Sequence, residues 1–172
     1  MDITPLVFTS DYTGVPGERT FFLQARSDDG THTFRIEKTQ VELLAEKLNE
    51  MLITLDPNDT IKGQHPARDP ALDFVEEPPL WRVGSMALAH DASGDRIVVM
   101  IAEVDSEEED DDEDEADANV ARFFLRKDQV RSFVLHSLAV LGEGRETCPL
   151  CGLPKGPGEH RCPASNGHHA AS

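Results

Sequence analysis

Two stretches of this chain, 89 residues apart, carry the same strand-to-helix junction, and any fold has to accommodate both. Phe34-Arg35-Ile36-Glu37-Lys38-Thr39-Gln40-Val41 lies over Phe123-Phe124-Leu125-Arg126-Lys127-Asp128-Gln129-Val130 with four of eight positions identical and Ile36 over Leu125. The correspondence continues with Leu44 over Phe133, Ala45 over Val134 and Leu52 over Leu141. Each junction offers a helix-capping side chain, Thr39 or Asp128, and Thr39 has Glu42 three residues on, the spacing of a capping box. Behind each cap runs an apolar stripe of helical period: Val41, Leu44, Ala45, Leu48, Leu52 and Leu55, then Val130, Phe133, Val134, Leu138 and Leu141. Asp56-Pro57-Asn58-Asp59 stops the first helix, and Gly142 and Gly144 stop the second.

The strands that feed these helices are legible by the same means. Gly17–Arg26 and Thr31–Ile36, rich in aromatic and β-branched residues, flank Ser27-Asp28-Asp29-Gly30 and read as a hairpin. Leu6-Val7-Phe8 adds a short strand ahead of it. Strands resume at Trp81–Ala89, turn at Ala92-Ser93-Gly94-Asp95, and return through Arg96–Ala102, which is apolar on both faces and so suits a central strand. Ala121–Leu125 is the last. Residues 56–79 hold five prolines and little periodicity, as a long ordered loop or a linker would. The class predicted is α+β: a mostly antiparallel sheet with two helices on one face, in a domain spanning 1–144. If the junctions reflect an internal β-β-(β)-α duplication, the halves pair into one sheet. Chance is the rival reading, since any two strand-to-helix junctions share caps and apolar phase. The outline is similar, at the level of fold alone, to the strand-rich repeats of the Pur-alpha and Whirly nucleic-acid binders.

Charge and length narrow the function classes. The chain has 172 residues and a net charge of −17, from 33 acidic against 16 basic side chains. Eleven of the acids crowd into 105–117, and without them the balance is an ordinary 22 to 16. Such a run buries nothing and repels itself, so 105–119 is predicted to be a disordered acidic loop. The overall charge argues against gripping a phosphate backbone through bulk electrostatics. No window is long and apolar enough to span a bilayer, and Met1–Pro5 lacks the basic-then-apolar start of a secretory signal, so a cytoplasmic protein with no membrane partner is expected.

One motif carries specific chemistry. Cys148-Pro149-Leu150-Cys151 is followed, eight residues later, by His160-Arg161-Cys162, and these are the only cysteines of the chain. A Cys-x-x-Cys turn places two thiolates about one ion, and His160 with Cys162 completes a tetrahedral Cys3His set, with Gly152, Gly156 and Gly158 allowing the turns. Four protein ligands close the coordination sphere, so the expected cofactor is a structural zinc ion in a knuckle at 145–167, with 168–172 as a disordered tail. A disulfide would strand an odd cysteine and wants an oxidising compartment. A thioredoxin-like pair wants a helix where Pro149 and Gly152-Leu153-Pro154 stand. Unliganded thiols remain a third possibility, and His168 and His169 are alternative ligands.

Pro16–Arg26, Glu37-Lys38-Thr39-Gln40-Val41, Trp81-Arg82-Val83-Gly84 and the closing Cys148-Pro149-Leu150-Cys151-Gly152, His160-Arg161-Cys162-Pro163 and Asn166-Gly167 resemble an actinobacterial family of conserved proteins of unknown function. The resemblance implies a cytoplasmic protein, encoded near histidine-phosphatase-like and lipid-kinase-like proteins, and supplies no activity. The acidic insert is longer here than that family suggests.

The remaining candidates are weaker. Arg19, Gln24 and Arg26 on one strand, with Lys38 at the helix start that follows, form a candidate anion or ligand site. The plain alternative is that strand arginines cover a sheet edge or pair with acids such as Glu18. Trp81 is either a recognition aromatic or a core anchor. His32, His65, His90 and His136 have no Ser or Cys partner at catalytic spacing, and no glycine-rich phosphate loop exists. Two function classes follow. The first is a non-enzymatic zinc-binding module that engages a protein partner, possible association with nucleic acid being disfavoured by charge. The second is an enzyme or accessory subunit acting on a phosphorylated small molecule. They part on whether Arg19, Arg26 and Lys38 converge on a pocket.

Overall fold

A computed structural model describes residues 1–57, 64–104 and 119–143. The chain divides into two units, Met1–Leu141 and Gly142–Ser172, and nearly all of the second lies outside the described residues. Segment 145–167, where a zinc knuckle is expected, the tail 168–172 and the acidic run 105–117 lie outside them as well.

The first unit is α+β. In chain order it runs β1 (Asp2–Ile3), β2 (Val7–Thr13), β3 (Thr20–Ser27), β4 (Gly30–Ile36), α1 (Lys38–Leu55), a single 3-10 turn at Pro70–Leu72, β5 (Val83–Asp91), β6 (Arg96–Glu103), β7 (Val120–Leu125) and α2 (Lys127–Gly142). Strands β2-β3-β4 form one antiparallel sheet, and β1-β7-β6-β5 a second in which only the β1–β7 pair is parallel. The predicted hairpin is β3–β4: Ser27 pairs with Gly30 around Asp28-Asp29, and Gly30 takes φ +132°, a conformation that favours glycine. The doubly apolar stretch at 96–102 is β6, an interior strand with Ile97, Val98, Val99 and Ile101 buried.

Three expectations need correction. The strands do not form one continuous sheet. The two sheets meet at a short parallel contact, where Leu80 N–H donates to Thr33 O (2.8 Å) and Arg35 N–H to Trp81 O (3.0 Å). Pro78 and Pro79 have no amide to extend that contact, and on the other side the pairing of β5 with β6 shifts register between Val83 and Met86. The strand placed at Leu6–Phe8 is longer and runs to Thr13, its polar half hidden from a hydrophobicity reading. Neither Thr39 nor Asp128 is the residue flanking its helix. The helices start at Lys38 and Lys127, and in each the glutamine at the third helical residue bends back: Gln40 Oε1 accepts from Glu37 N–H (2.9 Å), and Gln129 Oε1 from Arg126 N–H (3.0 Å). At the first helix the flanking residue is Glu37, which forms a reciprocal capping box with Gln40, so the cap lies two positions ahead of Thr39. Asp128 instead pairs with Arg126 at 2.9 Å.

The same two glutamines tie each helix to a distant strand. Gln40 Nε2 donates to Val83 O (3.3 Å) and Gly84 O (2.9 Å) at the start of β5, while Gln129 Nε2 donates to Pro5 O (2.7 Å) and Leu6 O (3.0 Å) just ahead of β2. Thus α1 associates with the strand opening the second meander and α2 with the strand opening the first. Phe133 of α2 meets Phe8 of β2 at 5.0 Å between ring centroids, and Phe8 and Phe34 both meet Phe123 of β7, at 5.1 and 5.7 Å. These aromatics join the buried faces of both sheets and both helices into one core.

Candidate functional site

Two places in the first unit depart from ordinary core or surface. The first is a groove between α1 and β5. Helix α1 turns Leu44, Leu48 and Leu52 inward and leaves Leu43, Met51 and Leu55 on its flank, with Leu43 48% exposed. From strand β5, Gly84, Met86, Ala87, Leu88 and His90 line the same groove. Its volume is about 730 Å³, within the range of about 300–1,000 Å³ typical of ligand-holding pockets. Polar groups lie at its margins: Gln40 already bonded to β5, Lys47 paired with Glu50 at 2.8 Å, and His90 near Asp95 at 3.5 Å. The lining is therefore apolar and its rim charges are paired, an arrangement suited to holding apolar groups.

The second is a buried polar cluster where residues 68–75 strap across the first sheet. The 3-10 turn at Pro70–Leu72 begins with Asp69, whose carboxylate accepts from Ala71 N–H (2.9 Å). Asp11 of β2, only 3% exposed, accepts from both ends of the Arg68 guanidinium (2.7 and 3.1 Å), from Phe74 N–H (3.2 Å) and from Tyr12 N–H (2.9 Å). Arg68 also bonds Asp73 (2.9 Å). Thr9 Oγ1 donates to Leu72 O (2.6 Å), and Phe22 stacks on Phe74 at 4.9 Å. His136 of α2, fully buried, accepts from Asp69 N–H through Nδ1 (3.1 Å), while Ser137 bonds Ser10 at 2.7 Å. Burial of the His136 ring holds its pKa below the usual imidazole range. Asp11 opposes that shift, Arg68 reinforces it, and Asp73 and Asp69 oppose it more weakly.

Asp11, Asp73 and His136 bring one ligand atom each within 4.8 Å of one another, close enough to raise a cation site. The bonding speaks against one. Both Asp11 oxygens face the guanidinium, which supplies the positive charge, and the His136 Nδ1 lone pair is engaged by an amide, so the neutral ring carries its proton on Nε2. Among the described residues that Nε2 has no hydrogen-bond partner. The cluster is a latch that pins the strap.

The residues singled out from sequence fall as follows. Gln24, fully buried, donates to Thr33 Oγ1 (2.9 Å) and Val75 O (2.8 Å) and accepts from Val75 N–H (3.2 Å). Arg26 donates to Ala71 O (2.6 Å). Both hold the strap. Arg19 stacks over the Tyr12 ring at 4.1 Å, near the opposite end of β3, about 23 Å of strand from Arg26. Lys38 opens α1. Gln24 and Arg26 are thus brought together by the strap, and Arg19 is not gathered with them. Trp81 packs edge-on to Phe34 at 4.6 Å, as a core anchor does. Cys148, Cys151, His160 and Cys162 lie outside the described residues. Sequence reasoning missed Asp11, Arg68 and Asp73, whose only signal was polar residues inside an otherwise strand-like stretch and a loop rich in Asp and Pro.

Fold and site define an α+β protein with an internally latched strap on one side and an open apolar groove on the other. Among the described residues no helix is long and apolar enough to cross a membrane. The chain belongs to the DUF3090 family, described as proteins of unknown function, whose pattern matches residues 4–162. No curated protein and no solved structure matches it.

Proposed function

We propose that this chain is a non-enzymatic, cytoplasmic interaction module that binds a partner protein through the α1–β5 groove. A zinc knuckle built from Cys148, Cys151, His160 and Cys162 serves as a second, structural element. The observation that carries the reading is the groove itself: about 730 Å³, walled by Leu43, Leu44, Met51, Leu55, Met86 and Leu88. Apolar surface of that extent, rimmed by paired charges, gains free energy when a partner covers it, at about 25 cal/mol per Å². In this reading the β2-β3-β4-α1 and β5-β6-β7-α2 halves are duplicated units. The mirrored bonds of Gln40 and Gln129 support that, since each reaches the opening strand of the other half.

The test is site-specific photocrosslinking in cells from Leu43, with the exposed Ser132 of α2 as control. A single partner captured from Leu43 and absent from Ser132, then bound stoichiometrically by the purified protein, is the expected result. Equal labelling from both positions, or none from Leu43, overturns the reading.

A further inference from the structure

We infer that the strap is an acid-released cover: uptake of one proton by His136 detaches residues 68–75 from the first sheet while both sheets and both helices stay folded. The geometry at His136 is the starting point. Its ring is fully buried, and Nδ1 accepts from Asp69 N–H at 3.1 Å. An imidazolium carries a hydrogen on each nitrogen, so protonation sets Nδ1–H against the Asp69 amide hydrogen, donor against donor. Nε2, which already carries its hydrogen, has no acceptor among the described residues. The charged ring thus loses its one bond where it stands and is satisfied only where water reaches it.

The charged groups around the ring leave that balance in place. Asp11 faces it from β2, and Arg68, Asp69 and Asp73 face it from the strap. Burial disfavours the imidazolium most; Asp11 opposes burial, Arg68 reinforces it, and Asp73 and Asp69 oppose it more weakly, so the net shift is downward. Each acid is already bonded: Asp11 to Arg68 and to the Phe74 and Tyr12 amides, Asp73 to Arg68, Asp69 to the Ala71 amide. An opening that hydrates the ring returns its pKa to about 6.5. The neutral ring's contribution to the closed strap is therefore complete above about pH 6.5 and is lost as pH falls through the folded pKa.

Packing decides which side of the seam gives way. Helix α2 sinks Val130, Phe133, Val134, Val140 and Leu141 into the core and cannot lift without unfolding it. The strap has no such anchor: Leu72 is the one buried residue of 64–80. Its other attachments are polar bonds from Thr9, Asp11, Gln24 and Arg26 and the stacking of Phe74 on Phe22. A segment held mainly by polar bonds and little apolar burial opens at lower free energy than the core beneath it. Its release bares Thr9, Asp11 and Gln24, all three buried in the closed form.

The experiment is amide exchange of the isotope-labelled full-length protein by NMR from pH 7 to pH 5, corrected for the intrinsic pH dependence of exchange. The Asp69, Phe74 and Val75 amides read the strap, the Ile97 and Val99 amides of β6 read global unfolding, and the His136 ring nitrogens read its titration in the same samples. At every pH the strap is expected to open at least about tenfold more often than β6. Its opening constant should rise at least about threefold across the range, by no more than about tenfold per pH unit, in step with protonation of His136. In His136→Asn, whose side-chain oxygen can still accept from Asp69 N–H but does not titrate, that rise should vanish. Strap opening that is constant from pH 7 to 5, that coincides with the opening of β6, or that keeps its pH dependence in folded His136→Asn overturns the inference. If the variant does not fold, the wild type decides: strap opening that rises while the His136 ring stays neutral overturns it, and opening that rises with ring protonation supports it.

Discussion

Replacing Asp11 by alanine tests whether the strap is held by the buried latch or merely lies over the sheet. The carboxylate accepts four hydrogen bonds, two from Arg68 and one each from the Phe74 and Tyr12 amides. A hydrogen bond to a charged group contributes about 1.5–3 kcal/mol, but the four do not simply add, because Arg68 keeps Asp73 at 2.9 Å. Exposure sets the scale. The Asp11 side chain is 4% exposed and that of Arg68 36%, so the pair lies between a buried bridge, whose breaking costs about 3–5 kcal/mol, and a surface one at about 0–1. Asp11→Ala should therefore cost about 3 kcal/mol, which for a chain of this length lowers Tm by roughly 6–12 °C. Asp73→Ala, whose carboxylate is half exposed, should cost under about 1 kcal/mol. Urea melts with unchanged slope give the two numbers, and amide exchange across 68–75 shows whether the loss is centred on the strap. A cost for Asp11→Ala no larger than that for Asp73→Ala would refute the latch.

Three further outcomes are expected. Because His136 is held neutral by burial, with its folded pKa below the usual value near 6.5, the unfolded chain takes up the proton first. The stabilisation is thus complete above pH 6.5 and is lost as pH falls towards the folded pKa. His136→Asn, which can still accept from Asp69 N–H, should flatten that decline in melts between pH 7 and 5, and an unchanged slope would assign it elsewhere. Gln129→Ala removes two bonds to Pro5 and Leu6 and the bond from Arg126, and should cost about 2 kcal/mol by chemical denaturation, more than the less buried Gln40→Ala. Metal analysis of reduced protein purified without added zinc should give close to one equivalent, with Cys148→Ser reducing it sharply and residues 6–142 staying folded on chelation; a content near zero would defeat the Cys148, Cys151, His160 and Cys162 ligand set.

What was legible in the sequence was whatever repeats at short range. The apolar stripe of α1, the Asp28-Asp29 hairpin and the interior character of β6 follow from patterns a few residues long and stand where those patterns put them, whereas in α2 Leu138 is 40% exposed and the buried face runs through His136, Ser137 and Val140 instead. Each helix is flanked two residues ahead of the cap the sequence offers, because a hydroxyl or carboxylate is an attractive local signal, whereas Gln40 and Gln129 work by folding back on the amide three residues earlier. The polar end of β2 was lost for a different reason. Thr9, Ser10 and Asp11 are all buried, the first and last under the strap and the second against Ser137, so both faces of a polar strand are covered. Alternation between apolar and polar residues signals a strand only when one face meets water.

The polar cluster was beyond sequence reasoning because its members come from a strand, a loop and a helix, with Asp11, Arg68 and His136 separated by 57 and 68 positions. Nothing local marks such residues as a set. The loop's composition, five prolines within 56–79 and few apolar residues, fits a linker as well as a strap. What distinguishes the two is whether buried partners exist for its backbone: Thr9, Gln24, Arg26 and His136 supply them from elsewhere in the chain. By sequence alone Gln24 and Arg26, long polar side chains on one strand, suit an external anion. The ligand they hold is the chain's own main chain. That substitution of an internal segment for an external one bears on the other half of the molecule too. Lys47, Met86 and Leu88 border a groove beside a similar terminal strand, and no described segment of the chain lies across it. The outer face of the first sheet is taken by the strap through the side chains of Thr9, Asp11 and Gln24, whereas the groove beside the terminal strand β5 has no such cover among the described residues.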